Sequence, residues 1–98
     1  MEIIKTKDGA NLTLAIEGRL DTTTAPMLEE VVKSELDGIT ALKFDLAKLE
    51  YISSAGLRVV LAAQKIMNKQ GTMVMVNAND EIMEVFEITG FADILTIE

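Results

Sequence analysis

Leu12, Leu14 and Ile16 are interleaved with Thr13, Ala15 and Glu17, the period-two pattern of a strand with one buried face. Lys7-Asp8-Gly9 carries turn chemistry between that strand and Ile3-Ile4, so Glu2 to Glu17 is predicted as a hairpin. Gly18-Arg19-Leu20-Asp21 ends the strand, and Thr22-Thr23-Thr24 offers an N-cap hydroxyl ahead of Pro26. A proline in the first helical turn lacks only an N–H that has no partner there anyway. Leu28, Val31, Val32 and Leu36 then recur at helical spacing with Glu29, Glu30 and Lys33 turned outward, and Asp37-Gly38 stops the run.

Leu42, Phe44 and Leu46 alternate with Lys43 and Asp45, a further strand. A second helix is predicted from Ser53 or Ser54 to about Gln70, with Gly71 as its stop. Its apolar positions (Leu57, Val60, Leu61, Ala62, Ala63, Ile66, Met67) span a wide arc, as in a largely buried helix. Met73-Val74-Met75-Val76 is apolar without alternation, as expected of a strand covered on both faces. Asp80 to Ile88 makes a third helix with Ile82, Val85 and Phe86 inward, closed by Thr89-Gly90, and Ile94 to Ile97 makes a short last strand. The predicted order is β-β-α-β-α-β-α-β. Strands separated by helices imply parallel neighbours, and the hairpin adds one antiparallel pair. The expected fold is a single α/β domain over residues 1–98, a mixed sheet packed against three to four helices.

Composition narrows the chemistry. A chain of 98 residues, 49% hydrophobic, accommodates one core. With no cysteine and no histidine, disulfides and the usual structural zinc sites are excluded, as are Ser-His and Cys-His nucleophiles. Carboxylates remain as acid and base, but no pair of them gathers at the strand ends. No metal or cofactor is expected. The net charge of −7, from 16 acidic and 9 basic residues, repels phosphate backbones and anionic headgroups, so neither nucleic acid nor a membrane surface is an expected partner. Val59-Val60-Leu61-Ala62-Ala63, the longest apolar run, is far short of a membrane span. Met1-Glu2 opens without a signal-peptide pattern, and the expectation is a cytoplasmic protein.

In open α/β sheets, sites gather where strands lead into helices. Two such loops stand out: Gly18 to Thr24 and Glu50 to Gly56. A serine at a helix start sits beside unsatisfied N–H groups and the positive end of the dipole, where a phosphate gains donors. Ala55 and Gly56 are small and leave such a hydroxyl open. A glycine in a first turn costs about 1 kcal/mol against alanine and so asks for a reason. Ser53 or Ser54 equally serves as a plain N-cap, and the Asp21 loop as a polar turn feeding a capped helix. The residues alone leave both readings open.

Asp45 to Leu61, centred on Tyr51-Ile52-Ser53-Ser54-Ala55-Gly56-Leu57-Arg58, resembles the signature of the STAS domain of bacterial anti-sigma factor antagonists. Gly18-Arg19-Leu20-Asp21 with Thr24-Ala25, and Phe86 to Phe91, match two further recurring segments of that family. The resemblance runs along nearly the whole chain. It implies partner switching in transcription regulation. The unphosphorylated antagonist binds an anti-sigma factor that is also a serine kinase of the GHKL type, and sigma is freed. Phosphorylation releases the antagonist, and a PP2C-type phosphatase restores it.

Carried over by position, the acceptor is Ser54. Ser53 stands where the family commonly has aspartate, which leaves it as the alternative acceptor, and Arg58 stands where glycine is common. The implied partner-binding set is Asp21, Thr22, Thr23, Ser53, Ser54, Ala55, Gly56 and Arg58. On this reading the chain is a phosphoprotein and not an enzyme, and Asp21→Ala weakens partner binding while leaving thermal stability nearly unchanged. An Asp21 that holds its own loop would instead make that variant melt earlier. The alternative within the family is a STAS subunit of a lipid-transport or sensory complex that is never phosphorylated.

Overall fold

In the computed structural model, which describes residues 1–98, Gly9 turns the chain at φ +61° between β1 (Glu2–Asp8) and β2 (Asn11–Leu20). These two strands form the expected antiparallel hairpin. There follow α1 (Ala25–Glu35), β3 (Ala41–Asp45), β4 (Leu49–Ile52), α2 (Ser54–Asn68), β5 (Thr72–Val76), α3 (Asp80–Thr89), a 3-10 turn (Phe91–Asp93) and β6 (Thr96–Ile97). The sheet runs β1-β2-β3-β5-β6, and every pairing after the hairpin is parallel.

One face of the sheet is apolar. Leu12, Leu14, Ile16, Leu42, Phe44, Met73 and Met75 are each at most 3% exposed. They join Leu28 and Val32 of α1, Val60, Ala63 and Met67 of α2, and Ile82 and Phe86 of α3 in a single core. Burying each such large side chain contributes about 1.5–3 kcal/mol, which is what holds the helices to this face. The opposite face carries Thr13, Lys43 and Val74 side by side in register. The expectation that β5 is covered on both faces is therefore corrected, because Val74 and Val76 are only half-buried. Valine there fits the pleated surface without a helix above it. In α2 the buried arc is likewise narrower than expected: Ala62 is exposed, and Leu61 and Ile66 are half-buried.

A strand absent from the predicted order, β4, matters most for the site. At Gly18, φ +100°, a conformation that favours glycine, the register of β2 slips. Gly18 pairs with Leu49 but Arg19 pairs with Tyr51, so Glu50 is the extra residue of a bulge. The first half of β2 lies beside β3 and its last turnward residues lie beside β4. Gly71 also departs from its expected role. The helix ends at Asn68 with Lys69 as its C-cap, and a Cβ on Gly71 would overlap the Thr40 carbonyl. Close backbone approach requires glycine there.

Candidate functional site

The slip at Gly18 brings the ends of β2 and β4 side by side, with the Ser53 N–H donating to the Leu20 carbonyl at 2.9 Å. Both loops singled out in the sequence therefore emerge at one end of the sheet. Thr22 from the first and Ala55 and Arg58 from the second line a common groove of about 200 Å³, with Pro26 and Glu29 of α1 on its far wall.

The first loop is held by Asp21. Its Oδ1 accepts from the backbone N–H of Thr23 (3.0 Å) and of Thr24 (3.2 Å), and from the Thr23 hydroxyl (2.8 Å). Thr24 Oγ1 in turn accepts from the Asp21 N–H at 2.8 Å and donates to the Arg19 carbonyl at 2.7 Å. Thr24 is the N-cap of α1 but makes no side-chain cap bond; the free N–H groups before the helix are met by Asp21 instead. Thr22 and Thr23 are exposed.

The Thr23 hydroxyl, with help from the two backbone N–H groups, outweighs partial desolvation and holds the Asp21 carboxyl below its ordinary pKa. A lowered folded-state pKa stabilises the fold fully above the unfolded value, about 3.9, and that contribution is lost as pH falls through the lower folded value. Asp21→Asn is thus expected to flatten the fall of melting temperature on acidification below about pH 4, checked by melting both proteins between neutral and strongly acidic pH. Superimposable profiles would contradict this. The same bonds favour the rival reading of Asp21: without the carboxylate the Thr23 N–H loses its acceptor in the loop, while the Thr24 N–H keeps the Asp21 carbonyl at 3.2 Å, so Asp21→Ala is expected to melt somewhat earlier at neutral pH.

The second loop separates its two serines. Ser53 is the half-buried N-cap of α2, in extended backbone, and its hydroxyl accepts from the Gly56 N–H at a long 3.5 Å. Ser54, the first helical residue, is exposed, and its hydroxyl has no partner within the chain. Ala55 is half-buried against the core. Gly56 does not present itself to solvent, as expected of a residue that clears space around a hydroxyl. It is buried, and a Cβ there would meet Leu20 Cγ at 2.7 Å and Ile52 Cγ1 at 3.0 Å. Its smallness lets α2 close onto the ends of β2 and β4. Arg58 is exposed one helical turn beyond Ser54. Its side chain lines the groove with Ala55 and with Glu29 of α1.

Two residues outside the expected set belong to this end of the molecule. Arg19 lies over the ring of Tyr51, 4.3 Å from its centroid, and its Nε is 3.9 Å from Asp21 Oδ2. Both fall within the two loops singled out in the sequence, Gly18 to Thr24 and Glu50 to Gly56, but spacing alone gives no sign that they pair. No three His, Cys, Asp or Glu side chains converge as metal ligands, and no helix is long and apolar enough to cross a membrane.

Known proteins share this fold. The family model described as the STAS domain matches residues 2–98. The anti-sigma-B factor antagonist of Listeria monocytogenes is 33% identical over 98 residues, spanning 97% of this chain and 85% of that protein. The crystal structure of an anti-sigma factor antagonist from Mycobacterium paratuberculosis superposes with a TM-score of 0.88 at 22% identity, over 98% of this chain and 83% of that one. The unphosphorylated form of the anti-sigma factor antagonist SpoIIAA superposes with a TM-score of 0.78 at 14% identity, over 99% of this chain and 87% of that one. With the family model spanning all but the first residue, the chain belongs to the STAS domain family.

Proposed function

We propose that this protein is an anti-sigma factor antagonist switched by phosphorylation at Ser54. Unphosphorylated, it binds an anti-sigma factor that is also a GHKL-type serine kinase, through the surface formed by the Asp21 loop and the start of α2, and sigma is released. The kinase then phosphorylates Ser54 and loses its grip, and a PP2C-type phosphatase reverses the modification. The protein is substrate and not catalyst in this cycle.

The observation that carries the reading is the state of Ser54: exposed, unpaired, and first in a helix whose first turn holds no acidic residue. An acceptor hydroxyl has to enter a kinase active site, and nothing within the chain competes for this one. Ser53 is tied into the cap. A phosphate on Ser54 adds about −1.5 to −2 charges where the helix dipole favours an anion and Arg58 supplies a cation. The fold therefore tolerates the modification. The interface does not, since a dianion desolvated against a partner costs several kcal/mol unless paired. This is a local charge event read out at an interface.

The test is calorimetric titration of the anti-sigma factor kinase of the same organism with the unphosphorylated and the Ser54-phosphorylated protein. The unphosphorylated form is expected to bind and the phosphorylated form to bind at least about tenfold more weakly. Equal affinity of the two would contradict the switch.

A further inference from the structure

The bulge that pairs Arg19 with Tyr51 leaves Glu50 outside the ladder and puts two adjacent residues of β4 into solvent. Tyr51 is 40% exposed, one of few large apolar side chains so placed. It is also held. Arg19 lies 4.3 Å over its ring, and the Asp21 carboxylate, fixed by Thr23 and Thr24, sits 3.9 Å from the Arg19 Nε. An aromatic braced on one face by a neighbouring side chain has less freedom to lose on binding than an unsupported one, and tyrosine and arginine are the residue types enriched at the energetic centres of interfaces. A cation–π pair this exposed adds little to the stability of the fold.

On the side of Tyr51 toward α3 the charge is acidic. Glu50 shares a concavity of about 490 Å³ with Asn79, Asp80 and Glu81 at the start of α3. None of these three carboxylates takes part in an ion pair. No Lys or Arg occurs after Lys69, whereas six carboxylates do. The patch is continuous with the proposed switch, since Tyr51 lies two residues before Ser53 and Arg19 two before Asp21.

We propose that Tyr51, Arg19 and Glu50 form a second contact patch for the protein that engages Ser54, and that this partner meets it with a basic side chain beside an apolar notch. The Tyr51 ring fills the notch, and Glu50 with Asp80 and Glu81 receives the cation. The patch lies beside the phosphorylated residue and not upon it, so it holds the partner before and during phosphoryl transfer. The inference rests on the proposed function but is separable from it.

The experiment titrates the purified GHKL-type anti-sigma factor kinase of the same organism with wild type, Tyr51→Ala, Tyr51→Phe, Glu50→Lys and Ser54→Asp. Tyr51→Ala is expected to bind at least about tenfold more weakly with its melting temperature within about 2 °C of wild type, and Tyr51→Phe to bind nearly as wild type. Glu50→Lys is expected to lose most affinity at low salt and less at high salt. A readout without truncation comes from composition: Tyr51 is the only tyrosine, so chain labelled with 3-fluorotyrosine gives one ¹⁹F resonance, expected to shift on adding the kinase. Tyr51→Ala binding within twofold of wild type, or an unmoved ¹⁹F resonance, overturns the patch while Ser54→Asp still weakens binding. A wild type that does not bind the kinase overturns both the patch and the reading beneath it.

Discussion

Ser54→Asp is expected to fold with a melting temperature close to wild type and to bind the anti-sigma factor kinase at least about tenfold more weakly, measured by calorimetry. The two halves of this result come from opposite sides of one residue. Toward the chain, a carboxylate at the first position of α2 meets the positive end of the helix, worth about 0.3–1 kcal/mol, with Arg58 one turn away. Toward the partner, the charge must be stripped of water. The phosphoserine carries about twice the charge of aspartate. A penalty near 3 kcal/mol, which corresponds to roughly a hundredfold, is the scale expected of the phosphate itself, and Asp imitates it in part. Ser54→Ala should bind as wild type and stay bound in the presence of ATP. A Ser54→Asp protein that binds as tightly as wild type would place Ser54 outside the interface.

Gly71→Ala is expected to have the largest effect on stability of any single-methyl change in the chain. Gly71 and Thr40 stand at the start of the β3–β5 pairing, where the Thr72 N–H donates to the Thr40 carbonyl at 2.9 Å. An added methyl overlaps that same carbonyl and the backbone carbon behind it. Neither can rotate aside, so the strand must shift and the pairing open. Overpacking of this kind costs about 3 kcal/mol, or at least about 10 °C of melting temperature in a domain this size. Gly56→Ala is the informative comparison. There the obstructing atoms are side-chain carbons of Leu20 and Ile52, which yield in part, and alanine returns some helix propensity, so a smaller loss of about 1–2 kcal/mol is expected. Thermal melts of the two variants check the order. Gly56→Ala melting below Gly71→Ala would contradict the account of which glycine faces rigid backbone.

The regular parts of the fold were legible because their patterns are regular. Alternation in Leu12–Ile16 and Leu42–Phe44, and helical spacing from Leu28 to Val32 and around Ile82 and Phe86, gave strands and helices where the structure has them. Irregular backbone was not legible. β4 escaped because a bulge at Glu50 puts Leu49 and Ile52 inward with two exposed residues between them, a pattern with neither period. Tyr51 and Arg19 escaped with it, since their pairing depends on that slip. The covering of β5 was misjudged because half-buried valines read as buried ones.

At the site, the loop at Ser53-Ser54 was recognisable from its hydroxyls and small residues, yet only the structure distributes the roles. Ser53 caps, Ser54 is free, Gly56 packs inward and Asp21 holds its own loop. Spacing cannot tell Ser53 from Ser54. The backbone direction at the helix start can, because the N-cap residue turns its hydroxyl back to the helix N–H groups and the next residue turns its own away.

That distinction is also where the account is most exposed. Wild type, Ser53→Ala and Ser54→Ala are incubated with the anti-sigma factor kinase and ATP, and the intact proteins are weighed. One phosphate is expected on wild type and on Ser53→Ala, and none on Ser54→Ala. Phosphate arriving on Ser54→Ala but not on Ser53→Ala, or on none of the three, would contradict Ser54 as the switch.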